Sequence, residues 1–295
     1  MKLLLATDGS ESAEGAAEFL TLFTFSPDDE IIVLHVITEM PYEDDYRRQI
    51  MQAMKRVAPK ILKASVNVLK KLRANVGIVE VEGVPDAAIM KVADDYHADL
   101  IVMGARGIKG IKSIFLGSVT RSVAINSTKP VLVTKSFPRR KTGPIKVMFP
   151  TDNSESSLAT GRLLVALPFP DKTEVTVMHV EPPVFSDIPE WLAVEINDTL
   201  KNDVARLRMK AVEESELILE QACASLRRRF SHVIGLSVQG EPSLAILHEA
   251  DTAKADLIAV GSRGLRGLKG MLGSVSRRVL GHSECSVLVG KAADR

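Results

Sequence analysis

Cysteine is nearly missing from this chain. Cys223 and Cys285 are the two in 295 residues and lie far apart. Neither a disulfide framework nor a zinc-ligand spacing can be built from them, and the expected setting is a reducing cytosol. An excess of charge of one sign is missing as well. Thirty-eight Lys and Arg against 37 Asp and Glu leave a formal net charge of +1, so no global field steers nucleic acid or an anionic membrane toward the protein. The basic runs Arg139-Arg140-Lys141 and Arg227-Arg228-Arg229 carry no interleaved aromatics and read as solvated surface. No apolar run approaches the length of a membrane span. Met1 to Ala6 is apolar, but Asp8 interrupts it before a signal-peptide core could form. A cytoplasmic location is expected, with neither nucleic acid nor membrane as partner.

Several motifs are missing too. There is no GxxxxGK[ST] loop, no GxGxxG fingerprint, no GxSxG elbow and no kinase signature set. His97, His232, His248 and His282 are scattered and form no ligand cluster. Nothing supplies a general base beside an attacking water, so no catalytic residue and no metal-ligating side chain is assigned. Fast hydrolysis is not expected.

What is present is ordinary globular material, 45% apolar and 25% charged, in a length that suits two domains. It is organised around one repeated stretch. Ala98 to Thr134 reads as a buried strand (Leu100 to Met103), a loop holding Gly104 and Gly107, and a helix opened by Gly117-Ser118. A second apolar strand, Val131-Leu132-Val133, closes it. The stretch recurs from Ala255 to Gly290, and ATDGSES at Ala6 to Ser12 returns as PTDNSES at Pro150 to Ser156. The offset between copies is 144 at Asp8 and Asp152 and 157 at Gly83 and Gly240. The second copy therefore carries 13 extra residues (157 − 144), within Glu181 to Arg229, around the only tryptophan, Trp191. The basic segment Phe137 to Pro144 reads as a linker, giving expected domains 1–138 and 144–295.

In chain order the first copy reads as strand (Lys2 to Thr7), helix capped by Ser10 or Ser12, and strand (Glu30 to Ile37). A long helix from Tyr42 to Arg73 follows, interrupted at Pro59. Then come a strand (Gly77 to Val81), a helix from Gly83 to about Tyr96, and the central stretch. Near-continuous apolar strands alternating with helices mark an α/β fold, a parallel sheet covered on both faces.

The chemistry sits where both copies agree. Glycines let a ligand approach the backbone, and the amides and dipole at a helix start favour a phosphate. Asp8 and Asp152 end their first strands, either as ribose or metal acceptors at the sheet's carboxyl edge or as turn aspartates. Ser118 and Thr120, like Ser274 and Ser276, place hydroxyls beside first-turn amides, as caps or as phosphate contacts. Lys109, Lys112, Arg266 and Lys269 line the loops. His35 and His179 read as packed histidines, with the neighbouring valine backbone open to a base.

These residues resemble the universal stress protein family in its tandem form, and the resemblance covers essentially the whole chain. The family's ATP-binding pattern, G-x2-G-x9-G-[ST], is matched by Gly104, Gly107, Gly117 and Ser118. The resemblance implies that Asp8 and the Val36 backbone meet ribose and adenine. It places Met103, Gly104, Arg106 and Gly107 along the sugar and phosphates, and Gly117, Ser118, Val119 and Thr120 on the phosphate tail, with Mg²⁺ or Mn²⁺. The second set is Asp152, Val180, Gly261, Arg263, Gly264, Gly273, Ser274, Val275 and Ser276. Here the loop is one residue shorter and Asn153 replaces Gly9, so the first site is expected to be the better one. The family also implies two Rossmann-like domains, each a five-stranded parallel sheet of order 3-2-1-4-5. Their fifth strands would pair as an internal pseudo-dimer, with a homodimer of tandem chains as a further option. The expected function is that of a nucleotide-dependent regulatory protein. The alternatives are a nucleotide-free interaction module, or a binder of another ligand under the Trp191 insert. A PP-loop enzyme would need SGGxDS after strand one, which ATDGSES is not.

Overall fold

Leu3, Leu4 and Leu5 follow one another and all three are fully buried. A strand hides consecutive side chains only when both faces of its sheet are covered. The computed structural model describes residues 1–39, 45–107, 116–135, 143–181, 198–264 and 272–292. The first half runs β1 (Lys2–Ala6), α1 (Glu11–Leu20), β2 (Glu30–Thr38), α2 (Asp45–Leu69), β3 (Asn75–Gly83), α3 (Pro85–Asp95), β4 (Leu100–Gly104), α4 (Ser118–Asn126) and β5 (Val131–Thr134). The second runs β6 (Lys146–Pro150), α5 (Glu155–Ala166), β7 (Glu174–Glu181), α6 (Asp198–Leu226), β8 (His232–Gln239), α7 (Pro242–Ala253), β9 (Leu257–Gly261), α8 (Ser274–His282) and β10 (Ser286–Gly290).

The described strands form one ten-stranded sheet, ordered β3-β2-β1-β4-β5-β10-β9-β6-β7-β8. Each half therefore has the order 3-2-1-4-5. Neighbours are parallel except β5 and β10, which meet antiparallel with Leu132 facing Leu288. These two are counterparts, 156 positions apart (288 − 132), so the seam is self-complementary about a pseudo-two-fold axis. This is the expected pairing of the two apolar fifth strands, and it leaves neither as an open edge.

Alternation along the strands splits the core into two layers. Leu3 and Leu5 join Phe19, Phe149 and Phe169 on one face, while Leu4 and Ala6 join Ile89, Val123, Met148 and Val279 on the other. A second junction, which the sequence did not suggest, crosses the first layer. Phe23 of one half stands edge-on to Phe169 of the other at 4.8 Å, and the Thr24 amide donates to the Pro168 carbonyl at 2.7 Å.

Three expectations need correction. The long helix is not interrupted at Pro59: α2 runs through it. Pro59 and Lys55 both face solvent, so the Lys55 carbonyl that loses its donor can be met by water. That helix also stops at Leu69 rather than Arg73. The third strand is longer than Gly77 to Val81, spanning Asn75–Gly83. It is the outer strand, paired with β2 alone, and its half-exposed alternation blurred its ends. The linker and most of the Trp191 insert lie outside the described residues. Within the described part, α6 has 29 residues against 25 for α2.

Candidate functional site

At the carboxyl edge of the sheet the chain turns from β1 into α1 through Thr7, Asp8, Gly9 and Ser10. The Ser10 amide donates to Asp8 Oδ1 at 3.0 Å, and Ser10 Oγ in turn accepts from the Ala13 amide at 3.2 Å as the helix cap. Gly9 sits at φ +77°, in the left-handed region. In the second half Asn153 holds the same place at φ +59°, and the Ser154 amide donates to Asp152 Oδ1 at 3.1 Å. Asn is among the few side chains that tolerate this conformation, so the exchange of Gly9 for Asn153 keeps the turn.

The Gly-x-Arg-Gly loop folds onto that turn. A Cβ on Gly104 would lie 2.5 Å from Ser12 backbone atoms, and one on Gly261 would lie 2.8 Å from the Ser157 amide. A Cβ on Gly107 would fall 2.6 Å from Asp8 Oδ2, and one on Gly264 would fall 2.8 Å from Asp152 Oδ2. The glycines thus let the strand end and the carboxylate close up on the loop. Serines clamp it further. The Arg106 amide donates to Ser12 Oγ at 3.1 Å, so Ser12 serves the loop rather than capping α1. Ser10 and Ser154 hydroxyls donate to the Arg106 and Arg263 carbonyls at 3.3 and 3.2 Å.

The long loop is pinched at its neck. The Ala105 amide donates to the Thr134 carbonyl and the Gly117 amide to the Ala105 carbonyl, both at 2.8 Å. Ser262 with Gly290, and Gly273 with Ser262, repeat both bonds at 2.8 Å. The neck is therefore the same in both halves despite the one-residue difference in loop length. The loop residues themselves, with Lys109, Lys112, Arg266 and Lys269, lie outside the described residues.

From each neck a helix starts on glycine. Gly117 and Gly273 are the N-caps of α4 and α8, and neither helix has a side-chain cap, unlike α1 and α5. First-turn amides left without a side-chain partner are the donors an anion can use. Ser118 and Ser274 are exposed beside them. Thr120 and Ser276 behave differently from the expectation. Both hydroxyls are buried and donate back to the strand carbonyls of Gly104 and Gly261, at 2.9 and 2.5 Å. What these two residues offer outward is backbone.

On the other flank β2 outruns β1. Its pairing with β1 ends at Leu34, where the Thr7 amide closes the ladder, so among the described residues Val36 has no strand partner on that side. β7 does the same beyond Met178, leaving Val180. His35 and His179 sit between, each with Nδ1 2.8 Å from the Thr7 or Thr151 carbonyl. A carbonyl only accepts, so Nδ1 carries the proton; His35 is buried and His179 half-buried against its own strand turn.

In the second half these parts enclose a cavity of about 360 Å³. Asp152, Val180, Gly261, Arg263, Gly264, Gly273, Ser274, Val275 and Ser276 all line it. So do Met178, Pro242 and Ile246, which the sequence reading did not select. Pro242 opens α7 just after Gly240, the counterpart of the Gly83 and Pro85 pair, and that repeat was the available signal. In the first half the bonds from Ser10 to Asp8, Gly117 to Ala105, Thr120 to Gly104 and His35 to Thr7 match those of the second. They bring Asp8, Gly104 and Gly117 to Thr120 to the same edge, where Met103 lies in the last turn of β4's ladder, Arg106 and Gly107 follow that strand, and Val36 lies near the end of β2.

The sequence model of the universal stress protein family matches residues 1–135 and 145–291. Over 156 residues, 45% of this chain, the sequence is 32% identical to universal stress protein MJ0577 of Methanocaldococcus jannaschii, 94% of which is covered. Universal stress protein MJ0531 of the same organism is 30% identical over 138 residues, 45% of this chain and 81% of that protein. The crystal structure of a universal stress protein from Archaeoglobus fulgidus shares the fold at full length. Its TM-score is 0.64 at 24% identity, covering 99% of this chain and 98% of that one.

Proposed function

The chain belongs to the universal stress protein family, and on that premise we propose that it is a nucleotide-binding regulatory protein of the stress response. It holds ATP or another adenine nucleotide in each of two domains, residues 1–138 and 144–295, with slow hydrolysis or none, in the cytoplasm. One observation carries the reading. The uncapped head of α8 shares the lining of one cavity with the apolar side chains of Met178, Val180 and Ile246. Met178, Val180 and Ile246 suit the faces of a base, and the Val180 backbone edge suits its hydrogen-bonding rim. Asp152 suits the ribose hydroxyls, and the Ser274 to Ser276 amides suit the phosphate tail, the Gly273 amide being engaged by the Ser262 carbonyl. The first half repeats the turn, the neck and the uncapped helix. Among the described residues no group of three or more His, Cys, Asp or Glu could hold a metal ion, so Mg²⁺ or Mn²⁺ would come with the phosphates.

The test is to denature freshly purified protein, identify the released small molecule and measure its ratio to chain, followed by ATP titration of the emptied protein. Two adenine nucleotides per chain are expected. Protein that releases none and then binds none on titration would leave the family membership standing and remove the nucleotide.

A further inference from the structure

Two lysines outside the site tie the halves into a closed circuit. Lys135 follows β5, and its Nζ donates to the Ser283 carbonyl at 2.5 Å and to the Ser283 hydroxyl at 3.2 Å, just past the C-terminus of α8. Lys291 follows β10, and its Nζ donates to the Ala124 and Ile125 carbonyls at 3.0 and 3.2 Å, in the last turn of α4. The two are counterparts across the pseudo-two-fold axis, 156 positions apart (291 − 135). Each reaches into the other half and places an ammonium on the negative end of a helix. The opposite ends of those helices are the amide heads of the two candidate sites. Each lysine also follows directly the residue that pins its own half's loop: the Thr134 carbonyl accepts from Ala105, and the Gly290 carbonyl from Ser262. The path thus runs from the first neck through Lys135 and α8 to the second head. It returns from the second neck through Lys291 and α4 to the first.

We propose that Lys135 and Lys291 couple the two nucleotide sites, so that filling one raises the affinity of the other. This rests on the nucleotide reading above. The groups acting on Lys135 are Arg106 from the first loop and Glu284 and Cys285 from the turn after α8. Burial lowers Lys135 to about 8; Cys285 works against that, Arg106 adds to it, and Glu284 opposes it. A polyphosphate beside Arg106 offsets that guanidinium's repulsion and favours the charged lysine. The charged lysine at the tail of α8 in turn favours an anion at its head, and linkage makes the effect mutual.

The experiment uses the full chain and ATP, counting chains with no, one and two nucleotides by native mass spectrometry. In the double variant Lys135→Met with Lys291→Met, the second ATP is expected to weaken relative to the first by about threefold or more. The corresponding Lys→Arg pair, charged whether or not a site is filled, is expected to bind the first ATP as the wild type does but to lose the enhancement of the second. Independently of any variant, calorimetry at pH 8 in buffers of different ionisation enthalpy should show proton uptake on ATP binding. An unchanged ratio in the Met variant, or no uptake by the unaltered chain, overturns the coupling. A chain that takes one ATP overturns the coupling but leaves the nucleotide reading standing. A chain that takes none overturns that reading, and the coupling with it.

Discussion

Asp8 and Gly107 fit together as a carboxylate against an absent side chain, for a Cβ on the glycine would lie 2.6 Å from Oδ2. The other oxygen is already engaged by the Ser10 amide, so the carboxylate has little freedom to step aside. Gly107→Ala, and Gly264→Ala against Asp152, should each weaken ATP binding in its own half by about tenfold (~1.4 kcal/mol). Calorimetric titration of the two variants checks this. Unchanged affinity in both would remove Asp8 and Asp152 from the site.

The turn after β1 supplies a contrast between the halves. Gly9 has φ +77° and a Cβ there would also touch Ile61 Cγ1 at 3.0 Å, whereas Asn153 already lives at φ +59°. Gly9→Val should cost about 2 kcal/mol or more, and Asn153→Gly about 0.5 kcal/mol or less. Urea unfolding of both variants reads the difference, and equal losses would contradict it.

The aromatic junction between the halves should carry real stability. Phe169 is fully buried and touches Phe23 across the junction and Phe230 within its own half. Phe169→Ala is expected to cost about 3–5 kcal/mol, measured as a fall in the urea midpoint by circular dichroism. A loss below about 1 kcal/mol would mean that the seam strands alone hold the halves together.

Alkaline pH separates two opposed groups at the strand seam. Burial lowers Lys135 from 10.5 to about 8, so between those values the unfolded chain binds the extra proton and stability rises with pH. Burial raises Cys285 from 9.0 to about 11, with Lys135 working against the rise, so above pH 9 the folded chain keeps a proton that the unfolded chain has lost, and stability falls. The wild type should gain stability from pH 8 to 9 and then level off. Cys285→Ser should continue to gain toward pH 10.5, and Lys135→Met should lose the initial rise. Urea midpoints across that range decide it, and a flat profile in the wild type would refute the Lys135 assignment.

Much of this was legible because the chain carries its own comparison. Residues kept in both copies proved to lie against one another within each half, Asp8 beside Gly107 and Asp152 beside Gly264, and the two Val-Leu-Val strands found each other. What escaped depended on direction in space. Thr120 and Ser276 sit beside the helix heads in sequence, but their hydroxyls turn back to the strands. Met178 and Ile246 are apolar residues that no motif marks, and it is the packing of α7 against β7 that brings them around one cavity. Lys135 and Lys291 are unremarkable cations until the pseudo-two-fold axis sets each against the other half's helix. Pro59 misled because a missing amide on a solvent-facing turn is a small loss.

The mirror pairing of Leu132 with Leu288 has one more result. In an assembly of identical chains, any substitution at such a contact would strike both sides together. Encoded in tandem, the two partners of the contact can be altered one at a time. Asymmetry therefore becomes accessible to mutation without dismantling the assembly, and the shortened loop and the lengthened α6 are departures of that one-sided kind.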